Sequence, residues 1–241
     1  MATLELLGFG ATGWGALLLA GTLMTLAVTV TALAIGAVLG TIVASMKLSG
    51  NVLLAMLGNL YTTVFRGVPE LLIIYLIYFG GSSAVTAIGK SMGYDGFLGL
   101  PSFAAGAFAV GIISGAYQAE VFRGAYLAIA KGELEAALAI GMHGGMRLRR
   151  IIVPQVLRFA LPGLGNVWQL SLKDSALVSV TGLAELMRTT QVAAGSTRQY
   201  FLFFIVGGCL YLVLTGFSDR VFNSAERRAN RSLPASSIGK T

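Results

Sequence analysis

The sequence predicts an all-α integral membrane protein with about five transmembrane helices, and three observations carry that prediction. Only 11% of the 241 residues are charged and 56% are hydrophobic, whereas a soluble domain carries about 25% charge. Apolar stretches recur at the ~20-residue length that crosses ~30 Å of hydrocarbon. The 32 glycines follow no G-X-Y period and come with only five prolines, which suits close-packed membrane helices better than a fibrous chain.

The first span runs from Gly15 to Met46. No charge occurs between Glu5 and Lys47, and no proline or turn cluster divides the stretch, so it reads as one helix with an interfacial lead-in at Trp14. The preceding residues contain Glu5 and no Lys or Arg; they lack the basic region of a signal peptide and are expected to stay on the mature protein. The second span covers Val52 to Gly80, the third Phe103 to Ile129, the fourth Gln155 to Val180 and the fifth Tyr200 to Phe222. Residues 1–222 form the membrane domain. Asn223 to Thr241 form a basic, Ser-rich tail with an expected unstructured tip. The pairs Gly36 with Gly40 and Gly111 with Gly115 have the i, i+4 spacing that permits close helix approach, although so many glycines produce such pairs by chance.

The net charge of +7 would suggest nucleic acid in a soluble protein. Here its distribution matters more. With the amino terminus outside, twelve of the 17 Lys and Arg residues fall on the inner side and three on the outer, as the positive-inside rule requires. The carboxyl terminus is then expected to be cytoplasmic. A single cysteine, Cys209, and a single histidine, His143, provide neither a disulfide framework nor a metal site. The stretch Ala84 to Ser91, ending Gly89-Lys90-Ser91, is one residue short of a phosphate-binding loop. Such a loop needs a strand before it and a helix after it, and apolar spans surround this one.

Charges at membrane depth are costly, about 2.5–3.5 kcal/mol each on insertion scales, and so face protein or water. Arg66 with Glu70 and Glu120 with Arg123 have helical pair spacing, while Lys173 adjoins Asp174. On the fourth span Asn166, Gln169 and Lys173 share one face at 100° per residue, with Asp174 at its edge. A polar stripe of this kind lines a cavity or seals a helix seam. The cavity reading makes Asn166, Gln169, Lys173 and Asp174 a pathway, faced by Gln118 and Glu120 from the third span, with groups suited to an amino-acid zwitterion.

The inner loop, Ala130 to Pro154, contains the helix-forming run Glu133 to Ile140. Within it stand Glu135-Ala136-Ala137, Gly141 after three residues, and Ile151, Val153 and Pro154 after nine more. This resembles the E-A-A-x3-G-x9-I-x-L-P motif of the membrane subunits of bacterial ABC importers, with Val153 in place of Leu. Arg66-Gly67-Val68-Pro69-Glu70, Gly115 to Gly124, Lys131-Gly132-Glu133 and Leu172 to Leu177 further resemble the polar amino-acid permeases, relatives of which import histidine, arginine, lysine or opines. Ser175-Ala176 stands where many relatives have Thr-Ser or Thr-Ala, and the first 50 residues match in hydropathy only.

The resemblance implies the ABC importer permease fold, with a cytoplasmic coupling helix between the third and fourth spans. Glu135, Ala136, Ala137 and Gly141 would dock on cytoplasmic ABC ATPase subunits. It also implies a second permease subunit, identical or similar, an extracytoplasmic solute-binding protein, and a polar, basic amino acid or opine as substrate. No cofactor belongs to this chain, because ATP and Mg are held by the ATPase. The chain is then no enzyme and binds no nucleic acid. An ion-coupled secondary transporter is the alternative, but no internal repeat is present and the docking motif argues against it. A membrane enzyme would need a catalytic cluster or haem ligands, which one histidine and one cysteine do not supply.

Overall fold

The computed structural model describes residues 3–10 and 12–230. A short helix, α1 (Thr3–Leu7), precedes α2 (Gly15–Leu48), which is a single helix of 34 residues and about 50 Å long. Leu6, Leu7 and Trp14 pack on Leu18, Leu186 and Phe203, tying the first turns of α2 to the later helices. Asn51 caps α3 (Val52–Gly67), its side chain accepting from the backbone N–H groups of Leu53 and Leu54. Next come α4 (Glu70–Tyr75), a π turn (Leu76–Gly80) and α5 (Gly81–Ser91), which run on as one apolar helix from Glu70 to Ser91. The central helix is α6 (Ser102–Leu127). Two short helices, α7 (Lys131–Ala139) and α8 (Gly144–Arg147), lead through a second π turn into α9 (Val153–Asp174). A 3₁₀ segment, Ser175–Thr181, then α10 (Leu186–Thr197) and α11 (Tyr200–Asn230) complete the described chain.

The closest packing is between α2 and α6, and the glycine pairs lie in that seam. A Cβ on Gly36 would stand 2.2 Å from Ser114 Oγ and 3.1 Å from the backbone nitrogen of Gly115; one on Gly40 would stand 3.1 Å from Ala119 N. On the opposite helix, a Cβ on Gly111 would meet Ile35 at 2.8 Å, and one on Gly115 would meet Tyr61 Oη at 2.9 Å. The backbones are therefore near enough for polar side chains to cross the seam. Ser114 Oγ donates to Ala32 O at 3.3 Å and Gln118 Nε2 to Leu33 O at 3.2 Å.

A second node is Glu185, fully buried and not anticipated from the sequence. Its carboxylate accepts from the N–H groups of Met187 (2.8 Å) and Arg188 (2.6 Å), capping α10, and from the hydroxyls of Thr25 on α2 (3.3 Å) and Tyr211 on α11 (3.1 Å). Four donors from three elements meet one side chain. Truncation leaves these donors buried without a partner, at roughly 1–3 kcal/mol for each unsatisfied group. Glu185→Ala should therefore lower the thermal midpoint of the detergent-solubilised protein by many degrees. An unchanged midpoint would show that the four groups find other partners.

The structure revises the expected spans. The stretch taken as one second span, Val52 to Gly80, is two helices, because Pro69 has no N–H and holds Val68 extended (φ −95°, ψ 137°). Among the described residues, Gly15–Leu48, Glu70–Ser91, Ser102–Leu127 and Tyr200–Ala229 are long and apolar enough to cross a membrane. The fourth expected span, α9, is more polar than these, carrying Arg158, Asn166, Gln169, Lys173 and Asp174. Helix α11 runs to Asn230, through the start of the expected tail, and the remainder of that tail lies outside the described residues. The near match to a phosphate loop is helical throughout, with Gly89-Lys90-Ser91 closing α5, so no nucleotide cradle exists there.

Candidate translocation and coupling sites

The loop motif folds as helix, turn, helix. Helix α7 ends where Gly141 takes a left-handed conformation (φ +77°), with Gly141 N bonded to Leu138 O and Met142 N to Ala137 O. This is the C-terminal cap that glycine adopts without strain. Glu133, in the first turn, complements the helix dipole and accepts a hydrogen bond from the Gln155 side chain, joining α7 to the start of α9. Because the helix starts at Lys131, Glu135 stands mid-helix and exposed. Ala137 is buried against the protein itself, Ala136 faces outward, and the exposed apolar side chains are Leu138 (57%) and Ile140 (78%). His143 caps α8, its Nδ1 accepting from Met146 N at 3.3 Å.

The polar groups expected along one pathway fall into three environments. Asn166 and Lys173 are exposed on α9 and Asp174 is half-buried. The charges acting on Asp174 are those of its neighbour Lys173 and of Glu70 at the start of α4. Gln169 instead turns to α11, donating to Asp219 Oδ1 at 2.7 Å, and so belongs to a helix seam. Gln118 does not face α9: it is buried (2% exposed) in the α2–α6 seam. Glu120 binds Lys47 of α2 and Arg123 (2.9 Å), with Arg66 Nη1 at 4.0 Å. The pair expected between Arg66 and Glu70 is absent, since the Pro69 break separates them, and Arg66 lies over the Tyr117 ring instead. Glu70 as a neighbour of Asp174, and Lys47 as a partner of Glu120, depend on contacts between distant segments and leave no mark in local spacing.

Residues 36–231 match the family described as binding-protein-dependent transport system inner membrane component. The chain belongs to that family. The permease is 51% identical over 233 residues to the octopine transport system permease protein OccQ of Rhizobium meliloti, covering 97% of this chain and 98% of that one. It is 42% identical to the histidine/lysine/arginine/ornithine transport system permease protein HisQ of Escherichia coli, over 90% of this chain and 94% of that one. A crystal structure of an amino acid ABC transporter with histidines superposes with a TM-score of 0.75 at 35% identity, covering 89% of the permease and 95% of that chain. The permease is thus the non-catalytic transmembrane component of an ABC importer, with ATP hydrolysis on a separate subunit, and its place is the inner membrane. The reading as a secondary transporter has no support among these relatives.

Proposed function

We propose that this permease imports a basic amino acid or an opine by alternating access. It would work beside a second permease subunit, identical or similar, with a solute-binding protein outside and ATPase subunits on the cytoplasmic side. The observation that carries the substrate class is that Glu70, at the start of α4, acts electrostatically on the half-buried Asp174 at the end of α9, beside the exposed Lys173. Two carboxylates favour a guanidinium or ammonium, and the lysine favours a carboxylate. Relatives that transport octopine, nopaline and basic amino acids support the same class. Asn166 completes the polar lining, while Glu135, Ala136 and Gly141, with Leu138 and Ile140, form the surface offered to the ATPase. In this reading the amino terminus is outside and the carboxyl terminus cytoplasmic, and ATP and Mg are bound by the partner.

Uptake of radiolabelled arginine or octopine into proteoliposomes holding the complete transporter tests the proposal. Asp174→Asn should lower uptake at least several-fold while ATP hydrolysis stays responsive to the liganded binding protein. Unchanged uptake kinetics would return Asp174 to a structural role. Uptake driven by an ion gradient with the ATPase left out would overturn the importer mechanism itself.

A further inference from the structure

Helix α11 marks a membrane boundary along its own length. No charge occurs between Arg198 and Asp219, and Tyr200 to Ser218 extends about 28 Å, close to the ~30 Å thickness of hydrocarbon. The end at Asp219 is also the end where a basic turn lies. Helix α9 runs antiparallel to α11, with Gln169 bonded to Asp219, Gly165 against Phe222, and Arg158 sharing a cleft with Ala229. Arg147, Arg149 and Arg150, just ahead of α9, therefore stand farther out at the same end. The residues that follow Ser218 on α11 fall at the level of lipid headgroups.

One face of α11 stays open on both sides of that boundary. Val213 (67% exposed), Phe217 (66%) and Val221 (52%) lead at helical spacing into the exposed Arg220, Ser224 and Arg228. These last three, with Val221 and Ala225, line a cleft of about 390 Å³. Ser224 and Ala225 are small, and the Ser224 hydroxyl donates back to the Arg220 carbonyl, which leaves room between the two arginine side chains. No acidic residue lines the cleft, and neither arginine has an ion-pair partner among the described residues. Asp219 is turned to Gln169, and Glu226 stands about 160° round the helix from Ser224. The face is thus apolar at hydrocarbon depth and doubly positive, without a counter-ion, at headgroup depth.

We propose that this face of α11 seats an anionic phospholipid, its phosphate between Arg220 and Arg228 and an acyl chain along Phe217 and Val213. A guanidinium donates in paired fashion to phosphate oxygens, so two of them can hold one phosphate from both sides. A zwitterionic headgroup brings its own cation beside the arginines and repels them, whereas an anionic one does not. The apolar stripe distinguishes a lipid from a free anion, because only a lipid covers Val213 and Phe217 while its phosphate meets the arginines.

The test is the thermal midpoint of the purified complete transporter in a neutral detergent, with phosphatidylglycerol or phosphatidylcholine added. Phosphatidylglycerol should raise the wild-type midpoint by several degrees more than phosphatidylcholine does. The double variant Arg220→Gln, Arg228→Gln should lose most of that difference, and Arg220→Lys, Arg228→Lys, which keeps the charge, should retain much of it. Arg149→Gln, Arg150→Gln removes the same charge elsewhere and should retain all of it. No preference for phosphatidylglycerol in the wild type, or an undiminished one in the Arg220 and Arg228 Gln variant, would overturn the proposal. So would an equal loss in the Arg149 and Arg150 variant, which would make the effect one of diffuse surface charge, or an equal shift from inorganic phosphate, which would make the ligand a free anion. Dissociation of the Arg220 and Arg228 Gln variant into separate subunits on size exclusion would also overturn it, by making the face a subunit contact.

Discussion

Replacing Gly141 by valine should reduce uptake at least tenfold while the permease still inserts and remains folded. At φ +77° a β-branched residue is strained, at a cost of roughly 1–2 kcal/mol. A Cβ added at this position meets no atom within 4 Å, so the primary effect is conformational. The helix end would shift to relieve the strain, moving Leu138 and Ile140, the exposed apolar side chains at the end of α7. Gly141→Asn is the control, because asparagine tolerates the left-handed region, and it should retain most of the uptake. Binding of the purified ATPase to proteoliposomes separates the causes. Valine should weaken that binding and asparagine should not. Equal, near-normal uptake by both variants would remove the cap from the coupling mechanism.

Replacing Gly36 by leucine should prevent accumulation of folded permease. Even the first added carbon would overlap Ser114 Oγ and Gln118 Nε2, at 2.2 and 2.5 Å, and press on the backbone of Gly115. Side chains can turn away, but the neighbouring backbone of α6 cannot, and its own glycines exist to allow this approach. Overpacking of this kind costs about 1–3 kcal/mol for modest insertions, and leucine adds four carbons where one does not fit. Separating the helices would also break the bonds from Ser114 and Gln118 to α2 carbonyls. Membrane content by immunoblot and a monodisperse size-exclusion peak give the readout. Gly50→Leu, in open space at the turn after α2, is the matched control and should accumulate normally.

Gly141, the seam glycines and Glu185 differ in how far they could be read from the chain. Gly141 was identifiable from its place in the motif, because a fixed spacing after Glu135 carries a local requirement, the helix cap. Gly36 and Gly111 could not be distinguished from many other glycines, because their function depends on which helices meet. Glu185 gave no local signal at all. Its partners Thr25 and Tyr211 lie 160 and 26 residues away.

The sequence by itself determined the class, the helical spans in outline and the glycine-ended helix of the loop between α6 and α9, since hydrophobicity, charge position and motif spacing act over a few turns of chain. The tertiary structure decided which polar groups meet. Helix packing assigned Gln118 to the α2–α6 seam, joined Gln169 to α11, brought Glu70 toward Asp174 and gathered three cations on Glu120. The physical reason is that a charge in an apolar medium takes whichever partner the packing brings within a few ångströms, and helical periodicity specifies only the face from which it reaches.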